Sequence, residues 1–274
     1  IEGFSRVQES DMLAVPDPNT FQILPWRSGA DDDAPVARMF CDIQHLSGEP
    51  FAGDPRSVLR RNLERAREKG FNFYASPEME FFYFESPDSP EPLDRAGYFD
   101  LTEVDLASDL RRQTILTLER MSIPCEYSHH EVAPSQHEID LRHTDALTMA
   151  DNIMTFRIVV KEVARSLGVY AHSHLSLFEG DVNAFHDAGD PNGLSKVAKH
   201  FIAGLLHHAR ELTAVTNQTV NSYKRLIEGY EAPVHICWAR NNSSALVRVP
   251  VPKRGKESST RIEYRSPDPA CNPY

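Results

Sequence analysis

The chain has 274 residues, of which 41% are hydrophobic and 25% are charged, and its formal net charge is -11. This composition is typical of a globular protein with one or two domains, and the negative charge argues against a nucleic-acid backbone or an anionic membrane as the main partner. No apolar run approaches the roughly 20 residues that span a bilayer. Four scattered cysteines form no CxxC pair, which predicts reduced thiols in a cytoplasm.

The hydrophobic pattern predicts helices and strands along most of the chain. Gly70 and Gly168 each follow apolar residues at helical spacing and mark two helix ends, and Thr144 is the expected N-cap of the longest helix. The β–β–α order is irregular, which favours an α+β fold with a largely antiparallel sheet over a doubly wound parallel one. In chain order the predicted elements are strands at 12–15, 20–24 and 36–43, a helix at 56–69, a strand at 71–84, a helix at 104–121, a strand at 125–132, a helix at 145–167, a strand at 169–178, a helix at 193–215, and strands at 234–238, 245–249 and 260–264.

Four stretches of the chain carry ionisable or metal-binding side chains on every second residue. Side chains two apart on a strand point to the same face, so each stretch offers Glu, His or Arg to one side of a sheet. Carboxylates about 4 Å apart repel by roughly 4 kcal/mol at an effective dielectric constant near 20, and they therefore need cations in order to coexist. The pattern predicts a polynuclear divalent-metal site with arginines beside it. The stretches are 77–81, 129–131, 172–176 and 261–265, to which Glu138 adds a further carboxylate.

Each of these signals also has a simpler interpretation. Acids on a strand often form a solvated edge, a lone histidine is often a satisfied core residue, and surface arginines form ion pairs of little energetic value. The aromatic residues around Glu78 and Glu80 favour a buried strand and hence metal ligation, since hard divalent cations prefer oxygen ligands. Fixed guanidinium groups beside acids suit phosphoryl transfer. No GxxxxGK(S/T), GxGxxG or GxSxG motif occurs, so a P-loop and a nucleophilic serine have no specific support.

Five segments of the chain together resemble glutamine synthetases of the bacterial type. The resemblance implies the α+β catalytic domain of that family, whose largely antiparallel sheet is lined with acids and has its helices packed outside. It implies that residues 1–52 are part of a β-grasp domain and that residues 53–274 are the catalytic domain. The family's glycine-rich segment is missing between Ala171 and His172, and we expect that it and a C-terminal part are omitted from a longer polypeptide. The segments are 77–82, 129–138, 217–226, 229–233 and 261–269.

The same resemblance implies ATP-dependent ligation of glutamate to an amine through γ-glutamyl phosphate. By motif matching, one divalent ion (Mg²⁺ or Mn²⁺) is expected among Glu80, Glu131 and Glu138, and a second among Glu78, His172 and Glu263. The other implied roles are glutamate binding by Arg225, phosphate contacts by His129, Arg248 and Arg261, a nucleotide contact at Ser176, stabilisation of the transferring phosphoryl group by Arg265, and an amine pocket lined by Tyr98 and Glu231, with Glu231 taking up the proton.

The resemblance leaves the amine open between ammonia and an organic amine. Ser243 stands where the family usually has an arginine near the phosphates, and loss of one such donor weakens transition-state neutralisation by roughly 3–4 kcal/mol. A catalytically weakened paralogue that binds glutamate or nucleotide is therefore the alternative from another class, and a metallohydrolase on the same strands is disfavoured by the many arginines. A homo-oligomer, a double-ring dodecamer by resemblance, is expected, with glutamate, an amine and ATP as its small-molecule partners.

Overall fold

The structure, a computed structural model, describes residues 11–28, 34–86, 88–89, 91–101, 104–168, 170–176, 183–229, 232–252, 256–268 and 271–274, with the backbone alone for 170–176 and 257. The helices are α1 (Pro55–Glu68), α2 (Ser108–Arg120), α3 (Ala146–Ser166), α4 (Lys196–His207) and α5 (Ala209–Thr216). The strands are β1 (Leu13–Pro16), β2 (Gln22–Ile23), β3 (Ala37–Arg38), β4 (Cys41–Gln44), β5 (Tyr74–Ala75), β6 (Glu78–Phe84), β7 (Cys125–His130), β8 (Gln136–Leu141), β9 (Thr144–Asp145), β10 (Tyr170–Ser176), β11 (His235–Arg240), β12 (Ala245–Val249) and β13 (Glu263–Tyr264). None of the described helices has the length and apolar character required to cross a membrane.

The main sheet is antiparallel and has four strands in the order β10, β6, β8, β7. Met79, Phe81 and Tyr83 of β6 are fully buried and alternate with residues that are only partly buried. Helices α2 and α3 contribute Leu118 and Phe156 to the same apolar cluster, so they cover this face of the sheet. The polar side chains lie on the other face of the sheet. The predicted α+β class, with an antiparallel sheet and helices outside it, is confirmed.

A second sheet consists of β11, β12 and β13. β11 runs parallel to β12, which departs from the antiparallel arrangement expected, whereas β12 and β13 are antiparallel. Val247 and Val249 of β12 share a second buried cluster with Ala198 and Ile202 of α4. Arg248 stands between the two valines, so it lies on the opposite face of the strand.

The strand predicted over 71–84 is wrong in its extent, because the chain forms two strands there. β5 pairs with β9 outside the main sheet, and β6 begins after Pro77. Pro77 has no N–H to donate, so the ladder is interrupted at this point. The strand predicted over 260–264 is likewise shorter, since within the described ranges only Glu263 and Tyr264 of this segment pair with β12.

Two helix predictions are also corrected. The helix expected over 193–215 is divided into α4 and α5 at His208, whose φ of -96° and ψ of 15° depart from helical geometry. Apolar residues recur at helical spacing on both sides of the break, so periodicity does not reveal it. The N-cap of α3 is Asp145 rather than Thr144, because α3 begins at Ala146 and the Asp145 carboxylate accepts the N–H of Thr148 at 3.0 Å.

Arg56 of α1 joins the N-terminal segment to the rest of the molecule. Its guanidinium is almost fully buried and forms ion pairs with Asp17 at 2.8 Å, Asp42 at 2.6 Å and Asp151 of α3 at 2.9 Å. Removing one partner from a buried ion pair leaves uncompensated buried charge, whereas removing an exposed partner changes little. Arg56 is therefore an electrostatic link between this segment and α3.

We expect Arg56→Ala to lower the free energy of unfolding by about 3–5 kcal/mol, because three carboxylates lose their common partner. The matched control is Arg60→Ala, since Arg60 also reaches Asp17 at 2.8 Å but its side chain is 41% exposed. We expect the control to lose less than about 1 kcal/mol. Urea unfolding of both variants measures the difference, and equal losses would contradict this account.

Candidate functional site

The partly buried face of the main sheet is crowded with carboxylates. The register of β6 and β8 places Glu78 opposite Asp140 and Glu80 opposite Glu138. Residues directly opposite each other in an antiparallel pair share a face, so the four carboxylates form one cluster. Strand alternation produces this arrangement, since Met79, between the two acids of β6, is fully buried on the core side.

β7 adds an imidazole to the same face. His129 lies opposite Glu138, and its Nε2 is 3.0 Å from Glu131 Oε1 and 3.9 Å from Glu138 Oε2. One ligand atom from each of these three residues lies within 4.8 Å of the others, a spacing suited to a single metal ion. Burial acts to raise the pKa of Glu131, but hydrogen bonds from His129 and from the N–H of Val132 lower it overall. Glu131 is therefore the acid of this group that ionises most readily.

Glu263 brings the second sheet to this cluster. Its side chain is 2% exposed, and three arginines converge on it, with Arg248 Nη1 at 2.9 Å, Arg261 Nη2 at 3.2 Å and Arg265 Nη1 at 3.8 Å. The charge of Glu263 also acts to raise the pKa of Glu78, so the two sheets meet at the site. A row of acids and a group of arginines therefore share one place in the fold.

The crowding is reflected in the pKa values of the acids. Burial, together with the neighbouring carboxylates, raises the pKa of Glu78 to about 8. Burial is also the largest cause that raises the pKa values of Glu80, Glu138 and Asp140. These acids need added positive charge to ionise together, and carboxylate oxygens are the ligands that Mg²⁺ and Mn²⁺ prefer. Asp140 Oδ1 is buried and has no hydrogen-bond partner among the described residues, so the site fits a hard divalent ion.

Arg225 lies near Glu80, just after a 3₁₀ turn at Val220–Tyr223. Its Nη2 donates to the carbonyl oxygens of Ser266 at 2.7 Å and Pro267 at 2.9 Å. Burial lowers the pKa of Arg225, while the charge of Glu80 acts to raise it. A guanidinium has more N–H donors than these carbonyls occupy, so Arg225 can also hold a carboxylate.

The other predicted site residues are placed as follows. Tyr98 is 58% exposed, and its ring meets His129 edge-on with 5.6 Å between the centroids. The backbone of β10, which carries His172 and Ser176, pairs with β6 along its whole length. Glu231 lies outside the described residues. The predicted residues whose side chains the structure brings into one site are Glu78, Glu80, Glu131, Glu138, Glu263, His129, Arg225, Arg248, Arg261 and Arg265.

The predicted ligand set omits two residues of this face, Asp140 and Gln136. Asp140 lies opposite Glu78, and Gln136 Nε2 donates to Glu80 Oε2 at 2.9 Å. Both stand two residues from Glu138 on β8, so the alternation that marks Glu138 also marks them. Asp140 is thus a further oxygen donor, and Gln136 orients Glu80.

A second polar cluster, of Asp94, His130 and His137, lies on the core side of the same strands. His130 donates from Nδ1 to the carbonyl oxygen of Glu131 at 2.6 Å and faces Asp94 through Nε2 at 3.0 Å. Arg111 Nη1 donates to His137 Nδ1 at 2.8 Å, so the proton of the neutral ring sits on Nε2. Burial, with Arg111 and His130 nearby, lowers the pKa of His137 to about 2 and keeps the ring neutral. A protonated Nε2 does not ligate a metal, so this cluster supports the site by hydrogen bonds.

Comparison with known families places the whole chain in one group of proteins. The family model for the glutamine synthetase catalytic domain matches residues 52–274, and the model for the glutamine synthetase β-grasp domain matches residues 1–45. Glutamine synthetase from Mycobacterium tuberculosis (strain ATCC 25618 / H37Rv) is 55% identical over 293 residues, which cover 100% of this chain and 66% of that protein. Glutamine synthetase from Thermotoga maritima is 49% identical over 293 residues, which cover 100% of this chain and 65% of that protein.

A solved structure leads to the same grouping. A cryo-electron microscopy structure of Plasmodium falciparum glutamine synthetase matches with a TM-score of 0.88 and 26% identity, covering 100% of this chain and 62% of that one. The chain thus spans 66% or less of the length of these relatives. The alignments extend over 293 positions against 274 residues here, so they contain gaps on this chain's side. Such gaps agree with an internal omission, whose place after Ala171 stays a prediction.

Proposed function

Since the chain belongs to the glutamine synthetase family, we propose that the protein catalyses the ATP-dependent ligation of L-glutamate to ammonia or an organic amine. In this reaction the side-chain carboxylate of glutamate attacks the terminal phosphate of ATP and releases ADP, and the amine then displaces inorganic phosphate from the γ-glutamyl phosphate and loses a proton. The observation that carries the proposal is the meeting of predicted ligand carboxylates from two sheets with three arginines at one site. Cations beside the transferred group neutralise its charge, which is the main requirement of phosphoryl transfer.

The acids of the site are proposed as ligands of two or more divalent ions, Mg²⁺ or Mn²⁺. When bound, the ions supply the positive charge that lets the acids ionise together and that screens the phosphates. Gln136 holds Glu80 by its hydrogen bond of 2.9 Å, and Asp140 offers a further oxygen. The proposed ligands are Glu80, Glu131 and Glu138 for one ion and Glu78, His172 and Glu263 for another.

The remaining side chains of the site bind the substrates and move the proton. Guanidinium forks hold carboxylate and phosphate oxygens bidentately, which keeps the reacting atoms in line. A carboxylate in the amine pocket accepts the proton that the attacking amine loses. The proposed assignments are Arg225 to glutamate, His129, Ser176, Arg248 and Arg261 to ATP, Arg265 to the transferring phosphoryl group, and Tyr98 with Glu231 to the amine, Glu231 being the proton acceptor.

We further propose a cytoplasmic, ring-forming homo-oligomer, a double-ring dodecamer, in which residues 1–52 are part of a β-grasp domain and residues 53–274 are the catalytic domain. Matches to both family domains support this organisation. Large apolar side chains of the N-terminal segment, such as Phe21 at 56% exposure, are available for subunit contacts. Each of the four cysteines is a free thiol, which suits a reducing compartment.

The proposal is tested by phosphate release from ATP with full-length protein, glutamate and Mg²⁺. Ammonia, ethanolamine, polyamines and simple alkylamines are added one at a time. We expect release that depends on glutamate and on at least one amine, with a γ-glutamyl amide as product. Reactions without glutamate control for the plain hydrolysis that a metallohydrolase would show. Absence of amine-dependent turnover across the series contradicts the proposal.

A second candidate is a catalytically weakened paralogue that binds glutamate or nucleotide and acts through partners. Ser243 favours it, because this residue lies in the turn between β11 and β12 where the family usually has an arginine. Retention of the other ligand-type residues argues against it. Stabilisation of the protein by divalent ions and glutamate without turnover would support this candidate over the ligase.

A further inference from the structure

Phe99 has a backbone conformation that a bulky residue rarely adopts. Its φ of 60° lies in the left-handed region, which glycine and asparagine populate far more readily. The N–H of Asp100 donates to the carbonyl oxygen of Gly97 at 3.0 Å, so Phe99 takes the third position of a tight turn, where a positive φ normally selects glycine. The N–H of Phe99 donates to the carbonyl oxygen of His130 at 3.0 Å and holds this turn against β7. Strained residues of this kind concentrate at functional sites.

The side chain of Phe99 lies flat on the imidazole of His129. The two ring centroids are 4.7 Å apart, and the ring planes differ by 8°. Tyr98 meets both rings edge-on, with its centroid 4.5 Å from that of Phe99 and 5.6 Å from that of His129. Phe99 is 60% exposed, so burial in the core does not explain why a large aromatic residue occupies a strained position. The contact of Phe99 with His129 explains why an aromatic residue occupies this position.

We propose that Phe99 is a positioning residue, which sets the ring plane of His129 and thereby directs Nε2 toward Glu131 and Glu138. The imidazole rotates about its bond to Cβ, and few orientations place Nε2 at the observed 3.0 Å from Glu131 Oε1. A ring stacked on the imidazole removes the other orientations, because a turned imidazole would collide with it. The inference rests on the proposed function. His129, assigned there to ATP, also holds the carboxylate of Glu131 through its 3.0 Å contact, and the position of that carboxylate affects ion binding only where Glu131 and Glu138 are ligands.

Variants of Phe99 separate the roles of the ring and of the backbone. Phe99→Gly removes both the ring and the strain, Phe99→Leu keeps the bulk without a flat face, and Phe99→Tyr keeps the stack. An aromatic pair contributes enough to change an equilibrium constant by about 3- to 10-fold, so we expect Phe99→Gly and Phe99→Leu to weaken Mn²⁺ binding by about that factor. Phe99→Tyr should bind Mn²⁺ as the unchanged protein does.

The measurement is Mn²⁺ binding to the full-length protein by electron paramagnetic resonance, together with the thermal midpoint of each variant. Phe99→Gly should be at least as stable as the unchanged protein, because a positive φ suits glycine. A merely structural role for Phe99 would instead lower the midpoint and leave Mn²⁺ binding intact. Leu101→Ala is the matched control, since Leu101 is 78% exposed and nearby in the chain, and it should change neither quantity.

The possible outcomes distinguish this inference from the function on which it rests. Weaker Mn²⁺ binding in Phe99→Gly and Phe99→Leu, with normal binding in Phe99→Tyr, supports the positioning role. If the unchanged protein binds Mn²⁺ and all three variants bind it equally well, the positioning role is overturned and the proposed function stands. If the unchanged protein binds no Mn²⁺, the proposed function is overturned and the inference with it.

Discussion

Replacement of Glu263 by glutamine is expected to reduce kcat/KM for the proposed ligation by on the order of 10²- to 10³-fold. Glutamine has nearly the same shape but no charge, so the site loses a proposed ligand oxygen and three arginines lose their common partner. The guanidinium groups then repel one another and leave the positions from which they would contact phosphate oxygens. Steady-state kinetics with saturating Mg²⁺ measure the effect.

The matched control for this substitution is Glu64→Gln on α1. Glu64 also pairs with an arginine, Arg67 at 3.4 Å, but its side chain is 62% exposed, so we expect unchanged kinetics. Thermal unfolding of both variants separates a loss of chemistry from a loss of fold. A folded Glu263→Gln protein with the activity of the unchanged protein would contradict the assignment of Glu263 to the site.

Without divalent ions, the free energy of unfolding is expected to fall by about 2 kcal/mol or more as the pH rises from 6.5 to 8. Glu78 ionises near pH 4.5 in the unfolded chain, but burial and neighbouring carboxylates raise its pKa to about 8 in the folded chain. Between these values the folded chain holds the additional proton, so rising pH favours unfolding. The pKa values of Glu80, Glu138 and Asp140 are also raised, so these acids also make the free energy of unfolding fall as the pH rises.

The pH range begins at 6.5 because at lower pH His137 has the opposite effect on the free energy of unfolding. Burial, Arg111 and His130 lower the pKa of His137 from 6.5 to about 2, so below pH 6.5 the unfolded chain binds a proton that the folded chain does not. At pH 6.5 the ring is still half protonated in the unfolded chain, so between pH 6.5 and 8 His137 offsets only about 0.4 kcal/mol of the fall. Burial raises the pKa of Cys125 from 9.0 to about 12, so this thiol affects the free energy of unfolding only above pH 8.

Urea unfolding at several pH values, first with a chelator and then with excess Mn²⁺, measures this dependence. Bound cations favour the ionised carboxylates of the folded chain, so Mn²⁺ should flatten the slope and raise the free energy of unfolding. Glu78→Gln removes one raised pKa, so in chelator the free energy of unfolding should fall by about 1.6 kcal/mol less between pH 6.5 and 8. Glu64→Gln should leave the slope unchanged. A free energy that does not vary across the window in chelator would contradict the crowded acid cluster.

Part of the site could be predicted because strand geometry is local. Glu78 and Glu80 lie on one face of β6 since side chains alternate along any strand, and the same alternation brings Glu138 to the face of β8 that faces His129. The aromatic residues around the acids indicated that the strand is buried on at least one face. The same alternation could also have predicted Asp140 as a residue of this site, because it stands two residues after Glu138.

Other features depend on contacts that no periodicity encodes. The pairing of β5 with β9 outside the main sheet and the parallel pairing of β11 with β12 follow from which segments meet in space. Periodicity also gave no sign of the helix division at His208. Phe99 carries no motif of its own, and its importance rests on a positive φ and a stacked neighbour.

The order of residues alone determined which side chains share a face of a strand, since the two-residue period follows from covalent geometry and needs no tertiary contact. Only the tertiary structure decided that Glu263 of the second sheet stands beside Glu78 of the first, and that Arg56 ties the N-terminal segment to α3. Glu78 lies on a strand that contributes to one apolar cluster, and Glu263 pairs with a strand that contributes to the other, so their meeting depends on how the two sheets pack. The free energy gained by burying apolar surface is proportional to the buried area and does not depend on direction. A pattern of apolar residues in the sequence therefore does not show which polar groups will meet at the edges of the core.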